Sequence, residues 1–354
     1  MRQPLAALPL AFAALFVASP PAQADPVPIR IGWVAPVANF ASILLLKPEL
    51  MRNQGKIYVL EPQHFASTPT MIPALAADQV DIGSISYAAF ANAIENAGMQ
   101  DLRVIADDFQ DGVNGSYSDE IMVLKDSPIK TVEDIKGKVA SSNGAGGAVD
   151  VALRVMLRRH GLEDKRDLSM VEVSMANQKS ALAAQKSDVV TTALPFSQDP
   201  ELRRIARTLF TQGDAIGPSQ MIFWAARTGF IAKNRAALVD FLADTIRARR
   251  FFIDPANHAE AVKIAVEFSK QPAESLDGWL FTKSGDYYHD WDDLPNMKAL
   301  QSNVDTQHDE GFLKAGLDVG KYAGLSMVEE AARVVQSTPI QASPTQTNQG
   351  SKQP

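Results

Sequence analysis

The stretch Ala74-Leu75-Ala76-Ala77-Asp78-Gln79-Val80-Asp81-Ile82-Gly83 returns later in the chain as Ala181-Leu182-Ala183-Ala184-Gln185-Lys186-Ser187-Asp188-Val189-Val190. Each copy reads as a helix end, a polar turn and an aspartate leading into an apolar strand. Each follows a β-rich segment, Lys56 to Glu61 in the first case and Leu168 to Val173 in the second. Self-similarity with matching flanks is the mark of a repeated supersecondary unit. The pattern predicts two α/β lobes of similar plan, the second inserted between parts of the first.

Working outward, alternating or continuous apolar runs predict strands over Val27 to Trp33, Val80 to Ser84, Leu102 to Asp107, Glu120 to Lys125 and Lys138 to Ser142. Helical spacing falls between them, at Thr70 to Ala77, Ala88 to Ala97 and Ala148 to His160. Strand–helix alternation argues for mainly parallel sheets. Asp126-Ser127-Pro128-Ile129 and Gly213 to Ser219 are polar and Gly/Pro-rich, so they are the expected crossings between lobes. Thr131 to Asp134 reads as a capping box opening a short helix that stops at Gly137. Residues 25–125 and 218–336 are then assigned to lobe 1 and 126–217 to lobe 2. Beyond Ala226 the chain turns helical, at Ala236 to Phe252, Ala259 to Phe268, Asn296 to Ala315 and Met327 to Val335. Residues 337–354, with Ile340 the only large apolar side chain, read as a disordered tail.

Residues 1–24 have the form of a secretory signal peptide: Arg2, the apolar stretch Leu5 to Ala18, and an A-x-A cleavage site at Ala22-Gln23-Ala24. The mature chain is expected to start at Asp25, free in the export compartment. Without a cysteine it cannot be a lipoprotein, form a disulfide or use a thiolate. The 34 Lys+Arg against 41 Asp+Glu leave a net charge of −7, and no basic block offers a nucleic-acid or membrane-surface footprint.

In an open α/β sheet the ligand crevice lies outside the carboxyl ends of the strands. That rule converges Val34 to Phe40, Ser67 to Thr70, Ser84 to Tyr87, Asn143 to Ala148 and Ala193 to Phe196 on one cleft. The Gly-rich turn Asn143-Gly144-Ala145-Gly146-Gly147 before a helix offers backbone N–H groups to an anion. Candidate ligand-binding residues are these five with Asn39, Ser67, Ser86 and Pro195, and the aromatics Trp33, Phe40, Tyr87, Phe196 and Trp224. The aromatics suggest a ligand with an apolar or aromatic body. His64, His160, His258, His289 and His308 show no metal spacing, and no Gly-x-Ser-x-Gly elbow is present, so no catalytic residue, metal or cofactor is assigned.

The runs Ile29 to Trp33 (IRIGW), ALAADQVDIG, Arg103 to Ala106 (RVIA), Asp126 to Gly146 (DSPIKTVEDIKGKVASSNGAG) and ALAAQKSDVV resemble the periplasmic solute-binding proteins of ABC importers in the nitrate/sulfonate/taurine group, the SsuA/THI5-like or NMT1 family. The resemblance spans Val27 to Lys270. It implies a type II periplasmic binding protein fold, with two α/β lobes joined by a two-strand hinge that close on one small ligand and present it to an inner-membrane permease. It also implies that Asn143 to Gly147 meet the ligand's anionic head. The chain departs from the family in lacking an identifiable basic side chain near the head group. It also has Thr192-Ala193-Leu194-Pro195-Phe196-Ser197 where a glutamate-bearing segment is usual.

The expectation is a non-enzymatic, monomeric periplasmic binder of a small organic anion, a sulfonate or a carboxylate. The alternatives are a binder of a thiamine-pyrimidine-type heterocycle and a sensor subunit that hands its closed form to a membrane receptor.

Overall fold

A computed structural model describes residues 25–337, so the signal-peptide reading and residues 338–354 lie outside the described part. Ser337, assigned above to the tail, closes the last helix.

The first sheet takes β1 (Val27–Trp33), β2 (Tyr58–His64), β3 (Ile82–Ser86) and β4 (Leu102–Asp111), with α1 (Thr68–Ala76) and α2 (Tyr87–Glu95) as the intervening helices. The chain then crosses into a second sheet built from β5 (Glu120–Leu124), β6 (Val139–Ser142), β7 (Ser169–Glu172), β8 (Val189–Thr192) and β9 (Ala206–Thr211). Its helices are α3 (Ala148–Arg159), α4 (Gln178–Ala183), α5 (Pro200–Ile205) and the single-turn α6 (Gln212–Ile216). The chain returns through β10 (Ser219–Arg227) and ends in α7 (Thr228–Ile253), α8 (His258–Ser269), α9 (Met297–Asp309) and α10 (Ser326–Ser337).

Strand orders are β2-β1-β3-β10-β4 and β7-β6-β8-β5-β9. In each sheet four strands run one way, and the inverted strand, β10 or β5, is the one that has just arrived from the other lobe. The two lobes therefore share one topology, as the repeat requires.

Placing β5 in the second sheet corrects the expected first boundary. The crossing lies at residues 112–119, not at Asp126 to Ile129, because Glu120 to Val123 pair with β8 on one side and β9 on the other. Gly112, Asn114 and Gly115 all take left-handed backbone there, which turns the chain between sheets. The expected helix after Thr131 is only a short 3-10 turn, Glu133–Ile135, whose Asp134 carboxylate accepts from Lys130 N and Thr131 N at 2.8 and 2.9 Å.

The two copies of the repeat are built alike down to single hydrogen bonds. After α1, Asp78 N donates to Leu75 O and Gln79 N to Ala74 O; after α4, Gln185 N donates to Leu182 O and Lys186 N to Ala181 O. This is the Schellman helix ending, and its left-handed residue is Asp78 (φ 52°) in one lobe and Gln185 (φ 53°) in the other. The aspartates that follow also match. Asp81 Oδ2 accepts Arg30 N at the start of the β1–β3 pairing, and Asp188 Oδ2 accepts Val139 N at the start of the β6–β8 pairing, each at 2.9 Å. Asp81 in addition holds the Arg30 guanidinium through both carboxylate oxygens.

One apolar core runs through both lobes, and a small satellite of Met122, Leu182, Val190, Leu202 and Ala206 sits on the second sheet. Among the described residues no helix is long and apolar enough to cross a membrane.

Candidate functional site

A cavity of about 50 Å³ lies between the sheets, walled by both lobes. Every segment expected to converge supplies lining residues: Val34, Ala35 and Asn39 after β1, Thr68 at the start of α1, Ser86 at the end of β3, Asn143, Gly147 and Ala148 after β6, and Ala193 after β8. The remaining walls are Phe109, Asp119, Val149, Met175, Met221, Ile222 and Tyr287. Their number of apolar groups and the unbranched methionines give a compliant, mostly greasy pocket.

Of the candidate residues, Asn39, Ser86, Asn143 and Gly147 line the cavity. Asn39 is locked in place: its Oδ1 accepts from Val34 N and Ala35 N, and its Nδ2 donates to Asp108 Oδ2 at 2.7 Å. Ser86 caps α2 through Ala89 N and shares a hydrogen bond of 2.9 Å with Thr68. Ser67 caps α1, and a Cβ on Gly144 would stand 2.8 Å from its Oγ, so these two residues meet face to face across the lobes. Tyr87 is fully buried and donates its phenol proton to Ala148 O at 3.0 Å, another bridge between lobes.

The expected aromatic wall is placed differently. Trp33 packs on His64 and Phe268, with ring centroids 4.6 and 6.3 Å away. Phe40 is buried among Phe252, Phe281 and His289, under the Arg249 guanidinium. Trp224 stacks on Phe241 of α7 in the first-lobe core. Pro195 and Phe196 follow a cis Leu194–Pro195 bond and leave only Ala193 at the cavity. Trp33, Phe40 and Trp224 pack instead against side chains of α7 and α8, where burial of apolar area outweighs exposure at a cleft. The aromatics that do face the cavity are Phe109 and Tyr287, stacked at 4.1 Å. Tyr287 also borders a larger depression of about 630 Å³ with Phe281, Tyr288 and His289.

The glycine-rich turn is also occupied in a way its sequence did not show. Ala145 N donates to Glu172 Oε1, Gly146 N to Asp150 Oδ2 and Gly147 N to Gly144 O, at 2.9, 2.9 and 3.1 Å. Three of the expected anion donors are thus satisfied within the second lobe. The N–H groups free of intrahelical acceptors belong to the first turn of α3, and Ala148 and Val149 bring that turn to the cavity wall. The electrostatic feature expected of residues 143–147 therefore sits at the start of the following helix.

The acidic stretch of β4 serves the frame. Asp107 accepts from Gln220 Nε2 and Asp290 N, and Asp108 from Asn39 and Phe40 N. Burial pushes Asp107 up to about 6 despite the neighbouring Arg249 guanidinium. Asp111 takes Ser118 Oγ at 2.6 Å and Asp119 N at 2.7 Å, which ties the hinge to the sheet, and burial raises it to about 6 as well.

Asp119 and Tyr287 are two polar residues of the cavity wall that sequence reading did not single out. Tyr287 accepts from Leu194 N and donates to Asp119 Oδ1 at 2.5 Å. Asp119 is fully buried, and burial followed by the nearby Asp111 charge pushes its carboxyl far above the usual range. No local motif marks either residue, since they are 168 positions apart. Among the described residues no group of three or more acids and histidines is placed to hold a metal ion.

No curated protein matches the chain in sequence. The alkanesulfonate-binding protein SsuA from Xanthomonas axonopodis pv. citri, solved bound to MOPS, superimposes with a TM-score of 0.67 at 20% identity, over 86% of this chain and 100% of that one. The periplasmic nitrate-binding protein NrtA from Synechocystis PCC 6803 gives 0.68 at 16%, over 88% and 89%. The desulfurization enzyme DSZB gives 0.60 at 11%, over 87% and 99%. At these identities the likeness is one of fold. The sequence itself matches the NMT1-like family model over residues 22–266. With most of its length inside that match and the two-lobed periplasmic-binding fold around a cavity between the lobes, the chain belongs to the NMT1-like family.

Proposed function

We propose that this protein is the periplasmic solute-binding component of an ABC importer. In this reading it captures a small organic molecule with an anionic or strongly accepting head and an apolar body, then delivers it to an inner-membrane permease. The observation that carries the reading is the cavity enclosed by both lobes, with the first turn of α3 at one wall and apolar side chains around the rest. Amides at a helix start hold negative charge without a basic side chain, and no Lys, Arg or His lines this cavity. Binding by closure requires the ligand to contact both lobes, since only a difference in affinity between open and closed forms shifts their populations.

In this reading the protein binds and releases its ligand unchanged, through a pocket whose polar side chains are amides, hydroxyls and one carboxyl. A leader of the signal-peptide type supports export, and a monomer is the natural form of a carrier that must diffuse to its permease.

The test is a thermal-shift screen of the protein exported from its full-length gene. Aryl and alkyl sulfonates, aromatic carboxylates, nitrate and bicarbonate are compared with pyrimidines and oligopeptides. A ligand at a hundred times its Kd adds about 2.7 kcal/mol, a shift of a few degrees. A shift with organic anions supports the reading. A shift with pyrimidines alone replaces the ligand class, and a shift with oligopeptides alone overturns it.

A further inference from the structure

We propose that closing the lobes on an anionic ligand draws one proton from solvent onto the Asp119 carboxyl, so that capture weakens as pH rises. The proposal rests on the cleft being the ligand site.

Asp119 stands at the crossing between the sheets, just before β5, is fully buried and lines the cavity. Its N–H donates to Asp111 Oδ2 and its C=O accepts from Gln212 N, each at 2.7 Å, so its place is fixed by the end of β4 and the start of α6. Its Oδ1 accepts from the Tyr287 phenol, and its Oδ2 is buried without a partner. Tyr117, edge-on to Tyr287 with ring centroids 5.4 Å apart, also leaves its phenol oxygen unpartnered. The Tyr287 phenol in turn accepts from Leu194 N of the second lobe, while Tyr288 beside it pairs with Gln110 of β4 in the first. The contact that seats the Asp119 carboxyl therefore spans the two lobes.

The titratable groups around it are Asp111 on β4, Glu120 on β5, Tyr87 on α2, Tyr117 at the crossing and Tyr287, all of them acids. The nearest cation, Arg203 of α5, is already paired with Glu120 at 2.7 Å. Of the two buried carboxyls at the crossing, Asp111 has Ser118 Oγ and Asp119 N to hold a negative charge, whereas Asp119 has the Tyr287 phenol alone. Burial first and the Asp111 charge second push the Asp119 carboxyl far above its ordinary range. Opening the lobes admits water to the cavity walls, and a hydrated aspartate loses its proton at about pH 4. An anion in the closed cavity adds a second like charge and makes the ionised form costlier still. Above about pH 4 the closed, occupied form thus holds a proton that the open form has released, and binding takes that proton from solvent. One proton taken up lowers affinity by up to about tenfold for each unit of rising pH. Asp119 is the only carboxyl on the cavity wall, and no Lys, Arg or His lies there to titrate against it.

The test is isothermal titration calorimetry of the exported chain with ethanesulfonate, benzenesulfonate and nitrate, anions that do not themselves titrate near neutrality. Each is measured from about pH 6 to pH 8 in bis-Tris and in Tris, amine buffers that carry no competing anionic group and whose different heats of ionisation count the protons exchanged. The expected result for an anion that binds is uptake of about one proton per ligand and an affinity that falls about fivefold to tenfold per pH unit. Asp119→Asn keeps the shape, a neutral group and an acceptor for the Tyr287 phenol. It is expected to take up no proton, to bind with an affinity flat across the range, and to bind more tightly than the wild type at pH 8. A frame residue would give the opposite sign, since its loss weakens binding at every pH. Wild-type binding with no proton uptake and a flat affinity overturns the proposal while leaving the cleft assignment intact. Uptake that persists in Asp119→Asn, or binding by that variant no tighter than the wild type at pH 8, also overturns it. If none of the three anions binds, the anion reading of the cleft fails and the proposal with it. Where Asp119→Asn does not fold, the wild-type proton count decides: about one supports the proposal and none overturns it.

Discussion

The phenol of Tyr87, on the first lobe, donates to the carbonyl of Ala148, the first residue of α3 on the second, at 3.0 Å. Burial and the charges of Asp111, Asp119 and Asp150 hold that phenol well above its ordinary pKa, so it remains a donor. The bond exists only when the lobes are together, and it fixes the helix start whose amides face the cavity.

Tyr87→Phe removes this bridge and keeps the ring. A neutral hydrogen bond contributes about 1 kcal/mol, so ligand affinity is expected to fall about fivefold with little change in melting temperature. Calorimetry on the best ligand of the screen checks it; unchanged affinity means that closure does not depend on this contact.

Gly144→Ala probes the opposite contact. The added methyl would lie 2.8 Å from Ser67 Oγ and 2.9 Å from Ser67 Cβ, forcing the lobes apart. Overpacking of this kind costs about 1–3 kcal/mol, so affinity should drop about tenfold. Ser67→Gly in the same chain should restore most of it, because glycine at a helix N-cap costs only a few tenths of a kcal/mol. Failure of the rescue would place the damage inside the second lobe.

The repeat makes paired predictions. Asp188→Ala removes the acceptor for Val139 N, at a cost of about 1.5–3 kcal/mol for a charged hydrogen bond. Asp81→Ala should cost more, since Asp81 also holds Arg30. Gln185→Gly relieves a left-handed backbone and should stabilise by about 1 kcal/mol. Urea unfolding of the three variants gives the order; Asp188→Ala costing more than Asp81→Ala would contradict it.

Stability should decline as pH rises from about 5 to 8. Burial pushes Asp107 and Asp111 up to about 6 and Asp293 to about 7, against 3.8 for an unperturbed aspartate. In the interval between those values the folded chain holds protons that the unfolded chain has released, so raising the pH favours unfolding. Below about 4 the direction reverses for groups lowered by their partners, such as Asp199 beside Lys179. Melting temperatures of the ligand-free protein across this range test the sign, and a steady rise from pH 5 to pH 8 would refute it.

What the sequence determined by itself is local and periodic. The repeat, from Ala74 and again from Ala181, carries its own helix ending, left-handed turn and strand-capping aspartate, all made within a few residues or against the adjacent strand. That is why the two-lobed α/β plan and the segments that meet at the cleft were legible in it. Only the tertiary structure decided which side chains face the cavity. Trp33, Phe40 and Trp224 went to pack against α7 and α8, while Phe109, Asp119 and Tyr287 came to the cleft from distant parts of the chain. Likewise the glycine-rich turn advertised free amides, but Glu172 and Asp150 claim two of them, and Glu172 does so from another strand. A strand's alternation shows that one face is buried, yet not against what. The partner is set by the crossing at residues 112–119, where the chain joined its two sheets earlier than local composition suggested.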